Sequence, residues 1–372
     1  MVAARAVIES NASFASQNHE GIVCVFAGAT SGIGASTLKR MTTMFKAPTF
    51  YVLGRSSARF AKQRKTLESL NRDCKVIFIE TELALISGID LASQQITAAE
   101  QKVDYLCMSM GGIPMNGAEY TEEGLETNFA ISYFSRMRLL SNLLPLLHQS
   151  PRPRVLSVLN GGKEKYIIEN DLGLEKNWTI FNVVKHEACL TSLAFDYLAA
   201  NNTNITFVHN FPGLVESDKH RRANPPEGAS LLHRIILASV RRLIALIRFF
   251  IGMTLNEAGE RQVYHLTSGR YSPGAWRVHQ NSEPLPATKA LKHYEANGWP
   301  EKIWAFTGLV DTEILNEALR TYSRDLEQLG GAQWSGGDQD FLPGQNCQRG
   351  GVPALAWHEV DNYRFVALKQ DL

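Results

Sequence analysis

An apolar run, Ile22 to Ala27 (IVCVFA), stops at a glycine and leads straight into Gly28-Ala29-Thr30-Ser31-Gly32-Ile33-Gly34 and a helical pattern. No other stretch of the chain constrains the fold as strongly. A short run that is apolar at every position predicts a strand buried on both faces, as in a parallel sheet. Glycines directly after it permit a tight turn and a close approach of backbone to a ligand. The helix that follows presents free N–H groups and a positive dipole end, which suit a pyrophosphate. The glycine spacing is evidence for such a site because it stands in a strand–turn–helix context.

The rest of the first 210 residues repeats that alternation. Strands are predicted at Thr49 to Leu53, Lys75 to Ile79, Tyr105 to Met108, Arg154 to Leu159 and Ile205 to His209. Helices are predicted over Gly32 to Phe45, Ser56 to Asn71, Ile86 to Gln101 and Phe181 to Ala200, with two long helical patterns ending near His148. Strands alternating with helices of this length mean βαβ units and a doubly wound α/β sheet of Rossmann type. The expected organisation is an N-terminal extension over 1–20 and a nucleotide-binding domain over 21–275. That domain includes a helical substrate lobe over 214–258. A helical extension over 276–329 and a poorly ordered tail over 330–372, rich in Gly, Gln and Asp, complete the chain.

The spacing Gly28-x3-Gly32-x-Gly34 differs from GxGxxG and resembles the TGxxxGIG motif of short-chain dehydrogenases/reductases, with Ala27 in place of the threonine. Other landmarks of that family follow in order across Gly21 to Tyr271. The second strand ends Gly54-Arg55-Ser56, about 20 residues past the last glycine, where an arginine suits a 2′-phosphate. The resemblance therefore implies NADP(H) rather than NAD, with cofactor contacts from Gly28, Thr30, Ser31, Gly32, Ile33, Gly34 and Arg55. Glu82-Leu83 stands at the family's Asp-Leu position beside the adenine. Met108-Ser109-Met110-Gly111 replaces Asn-Asn-Ala-Gly and keeps the glycine. Glu126-Thr127-Asn128-Phe129 matches the helix of the active-site asparagine, and Pro212-Gly213-Leu214-Val215 the turn that meets the nicotinamide amide. Arg59 and Lys62 are equally well read as phosphate contacts or as a solvated basic face.

The catalytic centre departs from the family pattern of Ser, Tyr and a Lys four residues after the Tyr. In Phe181-Asn182-Val183-Val184-Lys185 a phenylalanine precedes the lysine, and the serine position falls on Asn160. Asn128 and Lys185 remain as the catalytic candidates; both also count among the cofactor contacts, with Glu82 and Val215. Phenylalanine has no proton to give, and general acid–base catalysis is worth ~10²–10⁴ in rate, or about 3–5 kcal/mol. Tyr166 is a substitute donor or else a packed loop residue. His186 points ~100° away from Lys185 along the helix and is expected to be a packing or surface histidine.

The function this implies is NADP(H)-dependent oxidoreduction of a hydrophobic small molecule, a carbonyl, alcohol or enone. The overall text resembles reductase-like proteins of fungal secondary-metabolite clusters. The alternatives are a non-redox isomerase or cyclase on the same fold, and a catalytically silent NADP-binding protein. Thirty-eight basic residues against 37 acidic ones give a net charge of +1, which offers no electrostatic reason for nucleic-acid binding. Five scattered cysteines without a CxxC pair argue against a disulfide framework and a zinc site. The first 20 residues lack the charged start and continuous apolar stretch of a secretory signal, so a cytoplasmic location is expected. Leu231 to Met253 is apolar but carries Arg234, Arg241, Arg242 and Arg248, too many for an ordinary membrane span. It is either a helix over the substrate pocket or a peripheral helix on a membrane surface. A homodimer is implied by the resemblance alone.

Overall fold

The computed structural model describes residues 2–112, 117–215, 252–310 and 314. Seven parallel strands form one sheet in the order β3-β2-β1-β4-β5-β6-β7. These are β1 (Val23–Ala27), β2 (Thr49–Gly54), β3 (Lys75–Glu80), β4 (Tyr105–Met108), β5 (Arg154–Val158), β6 (Thr206–Asn210) and β7 (Gly274–Val278). The order reverses between β1 and β4, and ligands of open α/β sheets bind outside the strand ends at such a switch point.

The central strands are buried at every position because both sheet faces are covered. Period-two alternation splits them between two cores. Val23, Val25 and Ala27 of β1 face one core, and Cys24 and Phe26 face the other. The first core is closed by α4 (Ile86–Ala99), α6 (Ser135–His148), α7 (Ile180–Asn201) and α9 (Lys289–Ala296). The second is closed by α1 (Ala4–Ala15), α2 (Gly32–Thr42), α3 (Ser57–Leu70) and α8 (Leu255–Thr267). Gly259 lets α8 lie close on α2, since a Cβ there would come within 2.9 Å of the Ser36 backbone. Arg40 of α2 pairs with Glu260 of α8 at 2.8 Å, and Asn11 of α1 donates to the Glu260 carboxylate at 2.6 Å. The segment before β1 is therefore a helix packed on the domain.

Two expectations need correction. Between β4 and β5 the described residues hold one long helical run, not two. It opens as α5 (Thr127–Phe129), passes through a π-helical turn (Ala130–Phe134) and continues as α6. Residues 109–112 and 117–126 are not helical. The second correction is β7, which the sequence reading omitted and which crosses the boundary set at residue 275. Its residues GAWRV are mostly half-buried on a sheet edge and lack the apolar run that marks β1. The segment 231–250, most of the lobe assigned to 214–258 and the tail over 330–372 lie outside the described residues. Among the described residues no helix is long and apolar enough to cross a membrane.

Candidate active site

The glycine turn is forced by its neighbours. Gly28 has φ +87°, and a Cβ on it would run into the backbone of Met110. A Cβ on Gly34 would strike the Ser109 hydroxyl and come within 2.8 Å of the Gly28 carbonyl. Ser109 Oγ donates to that carbonyl at 3.1 Å, so the turn is clamped to the end of β4. Gln63 Nε2 of α3 holds it from the other side by donating to Ala29 O at 2.9 Å. Gly32 differs: its φ is +63°, yet a Cβ there would meet nothing within 4 Å. The chain leaves Ser31 in an extended conformation and enters α2 with no side-chain cap from it. The first N–H groups of α2, at Gly32, Ile33 and Gly34, consequently donate no hydrogen bond to the Ser31 side chain. By contrast α3, α7, α8 and α9 begin on Ser56, Thr179, Thr254 and Thr288, each of which caps its helix.

Arg55 follows the last residue of β2 with a side chain 74% exposed. Its one neighbouring carboxylate is Glu82, at 3.9 Å and itself 42% exposed. An open pair of this length contributes little to stability, so it leaves the guanidinium available. Glu82 Oε1 also accepts from the Ala84 N–H at 3.3 Å, within its own loop. Gly213 closes a turn with φ +74°, and Val215 beyond it is buried and bridges to Met253.

Asn128 sits on α5, immediately before the π-helical turn. Its Nδ2 donates to Glu126 Oε1 at 3.1 Å, while Glu126 Oε2 caps the helix by accepting from the Phe129 N–H at 2.8 Å. Lys185 is half-buried on α7 and has no ion pair or hydrogen bond among the described residues. Phe181, one turn earlier, is 80% exposed. Tyr166 meets His293 and Tyr294 edge-on, with ring centroids 5.7 and 6.0 Å away, yet stays 57% exposed. His186 is fully buried, accepts from the Ile168 N–H at 2.9 Å and faces the Leu172 carbonyl at 3.2 Å. Burial holds its pKa down at about 4, so it is a neutral packing residue.

Behind these groups lies a set of buried charges that sequence reading missed. Arg136 on α6 is wholly buried and donates to the carbonyls of Met108, Met110 and Val158 and to Ser157 Oγ. It thereby ties together the ends of β4 and β5. Glu187, two residues past Lys185, is 4% exposed. Burial pushes its pKa up to about 7, against the pull of Arg136 and of the polar hydrogens of Ser132 and Asn160. Asn160 Nδ2 donates to Glu187 Oε1 at 3.1 Å, and the Asn160 N–H donates to His209 Nε2 at 3.2 Å. His209 Nδ1 then meets Ser192 Oγ at 2.8 Å, and Ser192 donates to Glu164 Oε1 at 2.6 Å. The available signals were an arginine inside an apolar helix and the i, i+4, i+8 spacing of Asn128, Ser132 and Arg136 on one helix face. Among the described residues no three His, Cys, Asp or Glu side chains gather as a metal site.

The sheet order, the glycine turn at its switch point and a lysine-bearing helix beyond β5 define a nucleotide-binding oxidoreductase fold. Residues 22–166 match the family model described as short chain dehydrogenase. Oxidoreductase AN1596 of Emericella nidulans is 32% identical over 341 residues, which cover 84% of this chain and 99% of that relative. Oxidoreductase lepF of Aspergillus flavus is 31% identical over 333 residues, covering 79% of this chain and 92% of the relative. A short chain dehydrogenase/reductase structure from Saccharomyces cerevisiae superposes with a TM-score of 0.52 at 16% identity, covering 74% of this chain and 99% of that one. The chain belongs to the short-chain dehydrogenase family. Within it, this protein is an oxidoreductase related to fungal oxidoreductases.

Proposed function

We propose that the protein is an NADP(H)-dependent oxidoreductase of a hydrophobic small molecule, a carbonyl, alcohol or enone, working with an altered catalytic centre. The observation that carries this reading is the uncapped start of α2 beside an exposed Arg55. The residues present fit such a cofactor. Free N–H groups at Gly32, Ile33 and Gly34 suit the pyrophosphate, and the open space at Gly32 admits it closely. The Arg55 guanidinium suits a 2′-phosphate. Among the described residues Lys185 has no protein partner to release before it meets the ribose hydroxyls, and Asn128 stands on α5. Bound there, the reduced nicotinamide supplies hydride. The chain's own share is to hold the reacting oxygen, since Phe181 brings no proton. A hydrophobic substrate of secondary-metabolite type fits both the exposed phenyl ring and the names of the relatives as oxidoreductases. Contact of the 231–253 segment with a membrane surface, and homodimerisation, belong to the same reading.

Calorimetric titration with NADPH and NADH in parallel tests it. Micromolar binding with at least tenfold preference for NADPH is expected, falling to parity in Arg55→Ala; that loss corresponds to about 1.4 kcal/mol. A folded protein that binds neither nucleotide overturns the proposal.

A further inference from the structure

We propose that the groove between α1, α2 and α8 is a second ligand site, which takes a free amphiphile of fatty-acid type, an apolar chain with one carboxylate head. The site is separate from the glycine turn and from Lys185, and it stands without the function proposed above.

The groove follows from the way three helices meet. Gly259 brings α8 against α2, and Asn11 ties α1 to Glu260 of α8. The space left beside them is about 500 Å³, within the range of about 300–1,000 Å³ that small-molecule sites occupy. Its apolar lining includes Val7 and Ile8 of α1 and Leu70, the last residue of α3. Val7 is buried, whereas Ile8 and Leu70 are exposed although both are large and apolar. A single exposed apolar side chain needs no explanation. Two that border one concavity, with a buried valine in the same lining, form apolar surface that a chain of methylenes would cover.

Charge decides the head group. The charged residues of the lining are Lys39, Arg40, Glu257 and Glu260. Both carboxylates are spent. Glu260 pairs with Arg40 at 2.8 Å and accepts from Asn11 at 2.6 Å. Glu257 Oε1 accepts from Nε and Nη2 of the buried Arg261, at 3.0 and 2.8 Å. Arg40 is thereby engaged as well, and its Nη1 also donates to Thr43 at 3.0 Å. Lys39 is exposed and has no ion pair or hydrogen bond among the described residues. The groove thus offers apolar surface and one uncommitted positive charge. A cationic amphiphile meets repulsion there, and a dianion leaves one charge unmatched. The lysine ammonium is a compact charge with three donors, so it meets a carboxylate without a fixed fork geometry. The apolar chain supplies affinity by covering Ile8 and Leu70. Lys39, an exposed charge, supplies the choice of sign more than the strength.

The test has a binding arm and a mapping arm, both on the full chain. In the first, dodecanoate below its micelle concentration is titrated calorimetrically, with acetate and dodecyltrimethylammonium as controls for head and sign. The wild type is expected to bind dodecanoate, to ignore acetate and to bind the ammonium more weakly. Lys39→Glu is expected to weaken dodecanoate about fivefold and to reverse the preference between the two amphiphiles. Ile8→Asp is expected to weaken it about tenfold, since it removes covered apolar area and adds a repelling charge. Urea unfolding shows which variants are folded; Lys39→Gln and Ile8→Ser carry the same comparison where a charged variant does not fold. In the second arm, a dodecanoate bearing a diazirine is cross-linked, and the labelled peptides are identified by mass spectrometry. Label on α1, α2 or α8 is expected. No binding of dodecanoate overturns the inference, and so does equal binding by the wild type and the folded variants. Equal affinity for the cationic amphiphile overturns it, as does label confined to α7 or other segments away from the groove. Binding to anionic phospholipid vesicles without binding of free dodecanoate also overturns it, and makes the groove a membrane contact instead.

Discussion

At the end of β1 the polar groups offered to a ligand are backbone N–H donors of a glycine turn and a helix start, with Arg55 alone as a side-chain charge. At the end of β5 the polar groups are side chains, and nearly all are spent on one another. Arg136 spans four acceptors, Glu187 takes Asn160, and His209, Ser192 and Glu164 form a chain behind it. The first region is generic: any residue's N–H serves, provided the glycines allow the path. The second is specific, because each buried charge there is tolerable only while its partners stay in place. In the proposed function the first region would hold the cofactor and the second the altered catalytic centre.

That contrast is broken most forcefully at Arg136. Arg136→Leu removes the donor shared by Met108, Met110, Val158 and Ser157 and leaves Glu187 without its balancing charge. Loss of one member of a buried charged cluster costs about 3–5 kcal/mol. A fall of that size is expected in the urea unfolding free energy, with Glu187→Leu in the same chain restoring part of it. A loss below about 0.5 kcal/mol, the range of a neutral surface change, would show that the buried network does not hold the second region.

The opposite region is probed at Gly28. Alanine there must adopt φ +87° and push its methyl into the Met110 backbone. Overpacking costs about 1–3 kcal/mol, and a left-handed conformation for a residue with a Cβ adds about 1 kcal/mol. A loss near 3 kcal/mol is expected, accompanied by loss of NADPH affinity, since the displaced turn carries the phosphate-facing N–H groups. Gly32→Ala is the control: it shares the positive φ but meets no neighbour, so its fold loss is expected near 1 kcal/mol. Equal fold losses in the two variants would contradict the close approach.

The same contrast explains what sequence alone could reveal. The fold was legible because burial on both faces writes itself as apolar runs, and the turn because only glycine serves at Gly28 and Gly34. The relevant partners there are a few residues away or are backbone. Arg136, Glu187 and His209 were illegible as a site because their meaning lies in contacts between residues 17 to 61 positions apart. In sequence Glu187 is one polar residue in a helix, and His209 ends a strand. β7 was missed for a related reason, as an edge strand is half-exposed and needs no apolar run. Nothing local to Tyr166 indicates that α9 returns to meet its ring edge-on.

A pH effect at Glu187 sharpens the comparison further. Glu187 faces Arg136 from α6 and Glu126 from the start of α5, with the polar hydrogens of Asn160 and Ser132, and its folded pKa is near 7 against an ordinary 4.5. Between those values the folded chain holds a proton that the unfolded chain has released. Stability from this group is therefore complete below about pH 4.5 and is lost as pH rises through 7. Over pH 5.5 to 7.5 the wild type should lose about 2 kcal/mol relative to Glu187→Gln, which has no such proton to lose. Unfolding of the two proteins in parallel across that range measures it. If the stability difference did not move over that interval, Glu187 would stay ionised in its pocket, and the second region would hold no titrating proton.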